Sequence, residues 1–242
     1  IADATAGTRY NDVVLIAISG AVDMDHTVDE SGGVVSFSGA AGAGDGIALA
    51  SSPMQPSTNG VMVAGGRFKV SAATDYRAFV GWQETVSLSE TVNPYTLNGT
   101  TLTSNSAGNV VGFYYDTQAT ADGFRFAAGP NGAMATTGGL SQARTTATTL
   151  GALGVLAGET MAADKWMVWR VEIDPNGVAR GYFGDETMAD ILGLTLVATL
   201  SAGVISATAL YHPIMLLLEQ STGDPTHEVD YFFAKGNREW TA

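Results

Sequence analysis

Short runs rich in Val, Phe, Tyr and Trp recur along the chain, among them "GVVSFSG", "GVMVAGGRFKVSA", "YRAFVGWQETV", "NVVGFYYDT" and "GFRFAAG". Turn dipeptides punctuate them: Asp45-Gly46, Asn59-Gly60, Asn98-Gly99, Asp122-Gly123, Asn131-Gly132 and Asn176-Gly177. Each can supply the positive φ angles of a hairpin turn. Short strands at this spacing predict an all-β chain, an antiparallel sandwich or barrel. Helical periodicity is scarce. Residues 185–193, "DETMADILG", have an acidic start and a glycine stop, and are expected to form one or two helical turns. The Ala-, Gly- and Thr-rich residues 136–164 show no clear period. They predict a long excursion with one or two short strands, or alternatively a linker between two domains.

The clearest pattern is residues 165–184, "KWMVWRVEIDPNGVARGYFG". Alternate side chains of a strand face opposite ways. Met167, Trp169, Val171 and Ile173 therefore share an apolar face and are expected in the core, while Trp166, Val168, Arg170 and Glu172 share the other. The return strand continues the pattern, with Phe183 inward and Arg180 and Tyr182 outward. Asp174-Pro175-Asn176-Gly177 carries the proline and glycine of a turn, which places Asn176-Gly177 at the hairpin tip.

With 242 residues the chain suits one large β domain. No apolar run approaches the roughly 20 residues of a membrane-spanning helix; "VVLIAI" and "IMLLL" are strand-sized. The opening "IADATAGTRYND" lacks the basic region of a signal peptide. A net charge of -13, from 24 acidic and 11 basic residues with no basic cluster, argues against a nucleic-acid partner. Charged residues make up 14% of the chain, below the roughly 25% of ordinary soluble domains. That low charge is expected of a surface partly hidden in an assembly, or of one solvated by Thr and Ser.

No catalytic residue is nominated. Glu172 and Asp174 resemble half of a glycosidase acid pair, but the strand ends where a third carboxylate would stand. The reading preferred here is a solvated strand end with Asp174 starting the turn. His26, His212 and His227 lack the spacing of a zinc site, and no "GxSxG" elbow is present. No metal or cofactor is expected, although "VDMDHTVDE" gathers Asp23, Asp25, Asp29 and Glu30 as calcium candidates on what reads as a solvated acidic loop. The glycine-rich residues 39–46 lack the Lys-Ser/Thr of a phosphate cradle and read as a loop between strands. Aromatic side chains able to stack on sugar rings are Trp82, Tyr95 and Trp240, with Tyr114 and Tyr115 beside them in the pattern.

The stretches "AFVGWQETV", "NVVGFYYDTQATADGFRFAAGPNG", "KWMVWRVEIDPNGVARGYFG" and "HEVDYFFAKGNREW" together resemble the concanavalin A-like (LamG-like) jelly-roll proteins found among the virion components of tailed bacteriophages. The resemblance implies a jelly-roll sandwich over residues 31–242. Residues 1–30 lie outside it, as an N-terminal arm or added strand, and deleting the residues before Val22 is expected to weaken subunit or capsid attachment while leaving the sandwich folded. It implies a structural protein rather than an enzyme: a capsid decoration (cement) protein on the capsid exterior of the virion. The partners expected of such a protein are the major capsid protein and copies of itself, most simply as a homotrimer. The alternative is a carbohydrate-binding, lectin-like module of a phage tail or fibre or of a secreted adhesin, with a surface glycan as partner. A polysaccharide hydrolase is the third reading.

Overall fold

The computed structural model describes residues 8–10, 13–18, 22–26, 33–39, 46–72, 74–84, 95–98, 101–104, 108–117, 124–129, 163–185, 193–203, 205–220 and 226–236. In chain order the elements are β1 (Thr8–Tyr10), β2 (Val13–Ile18), β3 (Val22–His26), β4 (Val35–Gly39), β5 (Gly46–Ser51), α1 (Pro56–Asn59) and β6 (Met62–Val70). There follow β7 (Tyr76–Gln83), β8 (Tyr95–Asn98), β9 (Thr101–Ser104), β10 (Val110–Asp116), β11 (Arg125–Gly129) and β12 (Met167–Ile173). Last come β13 (Ala179–Asp185), β14 (Thr195–Leu200), β15 (His212–Glu219) and β16 (His227–Lys235). The protein is a sandwich of two antiparallel seven-stranded sheets: sheet I in the order β1-β2-β5-β15-β7-β10-β11, and sheet II in the order β14-β13-β12-β6-β16-β4-β3. Strands β8 and β9 pair as a separate hairpin. The chain changes sheet at β2/β3, β4/β5, β5/β6, β6/β7, β11/β12, β14/β15 and β15/β16, so most neighbours within a sheet are distant in sequence.

The only helix among the described residues is the single turn α1, started by the buried Pro56. The turn expected over residues 185–193 meets a strand at its first residue, since Asp185 closes β13. Residues 186–192 lie outside the described residues, as does most of the excursion at 136–164. The segment before residue 31 supplies β1 and β2 to one end of sheet I and β3 to one end of sheet II.

The hairpin folds as its alternation dictates. Met167, Trp169, Val171, Ile173 and Phe183 are each at most 1% exposed and belong to the core between the sheets. Gly177 turns the chain at a φ of 77°. The Asp174 carboxylate accepts the backbone N–H groups of Asn176 at 2.9 Å and Val178 at 3.0 Å, fixing the turn. Glycine also makes room inside: Gly181 sits beneath the packed rings of Phe113, Phe126 and Phe183, whose centroids are 4.9 Å apart in both pairs.

The central strands of sheet I, β5, β15, β7 and β10, are buried on both faces. Leu15, Val80, Trp82, Met215 and Leu217 point into the core, while Ile18, Phe79, Tyr114, Ile214, Leu216 and Leu218 form a second apolar cluster on the opposite face. This explains "IMLLL" and "VVLIAI", where uninterrupted apolar residues replace the alternation of a half-exposed strand. Sheet II alternates instead and keeps a polar outer face.

Candidate functional site

That outer face is built by period two from four central strands. β12 and the residue before it present Trp166, Val168, Arg170 and Glu172, and β13 presents Arg180 and Tyr182. β6 presents Val63, Gly65, Arg67 and Lys69. On β16 the register shifts between Val229 and Tyr231, so that Tyr231 pairs with Arg67 and Phe233 with Gly65. The bulge lets Asp230 reach Arg67 from the same strand that offers the two rings.

The groups on this face hold one another. The Arg170 guanidinium lies 3.8 Å from the Tyr182 ring centroid, and Arg67 and Lys69 stand 4.2 and 4.9 Å from that of Trp166. Tyr231 and Phe233 are neighbours, their centroids 6.4 Å apart. Carboxylates answer the cations: Asp230 at 2.8 Å from Arg67, Glu228 at 3.0 Å from Lys69, Glu172 at 3.1 Å from Arg170 and Asp174 at 3.3 Å from Arg180. Tyr182 also donates its hydroxyl to Glu172 at 3.2 Å. The result is four aromatic rings set among charges that cancel pairwise. The face is only partly open. Tyr182, Tyr231 and Phe233 are half-buried, Trp166 is 7% exposed and Val168 is buried. Chemically it offers flat apolar rings beside oriented donors and acceptors, with Arg67, Lys69, Arg170 and Arg180 each paired to a carboxylate.

A second polar group is sealed inside and serves the fold. Asp116, fully buried, accepts from Arg77 Nε at 2.9 Å, from the Tyr114 hydroxyl at 2.6 Å and from Gln220 Nε2 at 3.0 Å. Tyr76 Oη lies 2.7 Å from His227 Nδ1. Burial lowers the His227 pKa from 6.5 to about 4, and raises those of Tyr76 and Tyr114 well above the ordinary tyrosine value.

The residues nominated from sequence fall elsewhere. Trp82 cannot stack on a sugar. It is fully buried on the inner face of β7, and its indole N–H donates to the Val171 carbonyl of the opposite sheet at 3.0 Å. Tyr114 and Tyr115 are likewise interior. Tyr95 opens β8, but its side chain lies outside the described residues, as does all of Trp240. Asp23 and Asp25 stand on the strand β3 rather than on a loop, opposite Ser38 and Ser36, with Asp25 exposed. Asp29 and Glu30 lie outside the described residues. Among the described residues no three His, Cys, Asp or Glu gather as metal ligands would. Glu172 and Asp174 are engaged by Arg170, Tyr182, Arg180 and the turn backbone. The rings of the outer face were available to sequence reasoning for Trp166 and Tyr182, through the parity of the hairpin. Tyr231 and Phe233 were hidden because the bulge breaks the parity of β16.

No family model matches the chain, and no curated protein matches it in sequence. Solved structures do match in fold. A protein of unknown function from Shewanella oneidensis MR-1 superposes with a TM-score of 0.56 at 10% identity, covering 97% of this chain and 82% of that one. A Lotus tetragonolobus seed lectin gives 0.52 at 8% identity, with 98% of each chain covered. The carbohydrate recognition domain of Emp47p gives 0.51 at 10% identity, covering 96% of this chain and 93% of that one. The fold is thus the concanavalin A-like sandwich of the legume lectins.

Proposed function

We propose that this protein binds carbohydrate on the outer face of sheet II, as a lectin-like module of a phage tail or fibre or of a secreted adhesin. The observation that carries the reading is the set of half-buried rings Tyr182, Tyr231 and Phe233 among paired charges, with the buried Trp166 packed against Arg67 and Lys69. Sugar rings present apolar C–H faces and a rim of hydroxyls, and this face presents aromatic planes beside carboxylates and guanidinium groups. The pairing of its four central cations with carboxylates favours an uncharged glycan. The similarity of fold to lectins and to a carbohydrate recognition domain supports the reading without deciding it. Binding takes place without turnover, because the Asp174 carboxylate is committed to its turn. The capsid-decoration role implied by the resemblance draws no specific support from this face.

A glycan array probed with the purified protein tests the proposal. Retention of neutral glycans is expected, with Tyr182→Ala and Tyr231→Ala each weakening the best ligand by about tenfold or more, roughly 1.4 kcal/mol. An array without retained glycans, or variants that bind as the parent does, would overturn it. Saturable binding to phage heads by a protein that ignores every glycan would favour decoration instead.

A further inference from the structure

Where β2 and β5 of sheet I stand opposite β3, β4 and β16 of sheet II, the two sheets enclose a cleft of about 400 Å³. Leu15 and Leu49 form one wall, and Met24, Val35, Phe37 and Phe232 form the other. Leu15, Leu49 and Phe37 are at most 7% exposed, so these are core positions whose side chains stop short of meeting. Asp230 and Tyr231 bring the polar atoms of the lining, and Asp230 is already paired with Arg67 at 2.8 Å. The cleft lies between the sheets and meets the glycan face proposed above only at Asp230 and Tyr231.

We propose that the cleft is a binding site for a neutral single-chain apolar molecule, such as an alkyl chain with an uncharged head. Its volume falls in the roughly 300–1,000 Å³ range of small-molecule pockets, which are mostly apolar with a few polar groups. Water in a half-open cleft with mostly apolar walls finds few polar partners, and a chain laid along those walls would gain dispersion contacts that water supplies poorly. Scaled by the roughly 30 Å³ that one water occupies in the liquid, the space takes about a dozen methylene-sized groups. The head is uncharged because the carboxylate in the lining is paired with Arg67 and, among the described residues, the lining itself holds no cation to meet an anion. The net charge of -13 further repels one. Met24 adds an adaptable wall, since its unbranched thioether conforms to chains of different shape.

Titration of the purified chain with N-phenyl-1-naphthylamine, a neutral apolar fluorophore, tests this site. A saturable one-to-one rise in fluorescence is expected, displaced by 1-dodecanol and not by 1-butanol, with dodecanoate weaker than dodecanol by about tenfold or more. Val35→Phe fills the cleft and is expected to lower affinity for the fluorophore by about tenfold or more, with the melting temperature held or raised. Tyr182→Ala, on the outer face, is expected to leave this binding unchanged. A signal that does not saturate, dodecanoate binding as tightly as dodecanol, or a folded Val35→Phe protein of parental affinity would each overturn the proposal. Should Val35→Phe fail to fold, Leu49→Ala enlarges the same cleft. Its preference is expected to move from dodecanol to longer alcohols, and an unmoved preference would be equally fatal.

Discussion

A Cβ added at Gly181 would lie 2.6 Å from the Phe126 ring and 2.7 Å from that of Phe113. Neither ring has room to retreat, because each packs against neighbours in the core. Gly181→Ala is therefore expected to destabilise by about 1–3 kcal/mol, the usual cost of overpacking, measured as the midpoint of chemical denaturation. Trp169→Ala should cost about 3–5 kcal/mol for a buried large aromatic. His227 sets a pH dependence. Folded, it takes its proton only near pH 4; unfolded, near 6.5. The stability contributed by the neutral ring is complete above about pH 6.5 and is lost as pH falls through 4, amounting to about 3 kcal/mol. Tyr76 faces the ring and stays protonated throughout, and the buried Glu219 is the further titratable group near Tyr76. Denaturation between pH 7 and 4 should show a steeper loss for the parent than for His227→Gln. Equal slopes would remove His227 as the cause.

Among the elements, the β12–β13 hairpin was legible because its period of two runs unbroken across both arms and its turn residues agree. β3 was misread for a local reason: three of the five residues of "VDMDH" are Asp or His, which suggests a loop. Its alternation, with Met24 packed against the core and Asp25 exposed, is too short to outweigh composition. β16 hid its aromatic face because a bulge moves Tyr231 and Phe233 out of step with Val229. Trp82 was misplaced because an isolated aromatic carries no parity of its own. What settles it is the Val171 carbonyl it reaches, far away in sequence. At this scale the N-terminal strands also matter. β2 pairs with β5 over six residues and sends Leu15 into one apolar cluster and Ile18 into the other. Removing residues 1–18 should therefore lower stability by about 3–6 kcal/mol, at 1.5–3 kcal/mol for each of these two buried side chains. This is the opposite of what a detachable arm predicts. Circular dichroism during urea denaturation would decide between the two.

Across the whole molecule the two sheets divide the work. The central strands of sheet I are buried on both faces and hold the fold, whereas the outer face of sheet II carries the half-buried rings and ion pairs of the proposed glycan site. The two faces also differ in what they reveal from sequence: continuous apolar runs mark the first, while paired charges and rings separated by long stretches of chain mark the second. The homotrimer and the capsid partner expected from the family resemblance make a separate claim, checked by light scattering and particle binding. The sheet II face carries a prediction of its own. Its cations Arg67, Lys69, Arg170 and Arg180 each meet a carboxylate within 2.8–3.3 Å, while the chain as a whole carries -13. At an ionic strength of 1 M the Debye length shrinks to about 3 Å, so binding driven by net charge collapses whereas ring stacking and short hydrogen bonds persist. Affinity for a neutral glycan should accordingly change less than about twofold between 0.05 and 1 M salt, and sulfated polymers should fail to bind even at the low end. A steep loss of affinity with salt in an isothermal titration series would show that unpaired charge governs this surface, and the neutral-glycan assignment would fall with it.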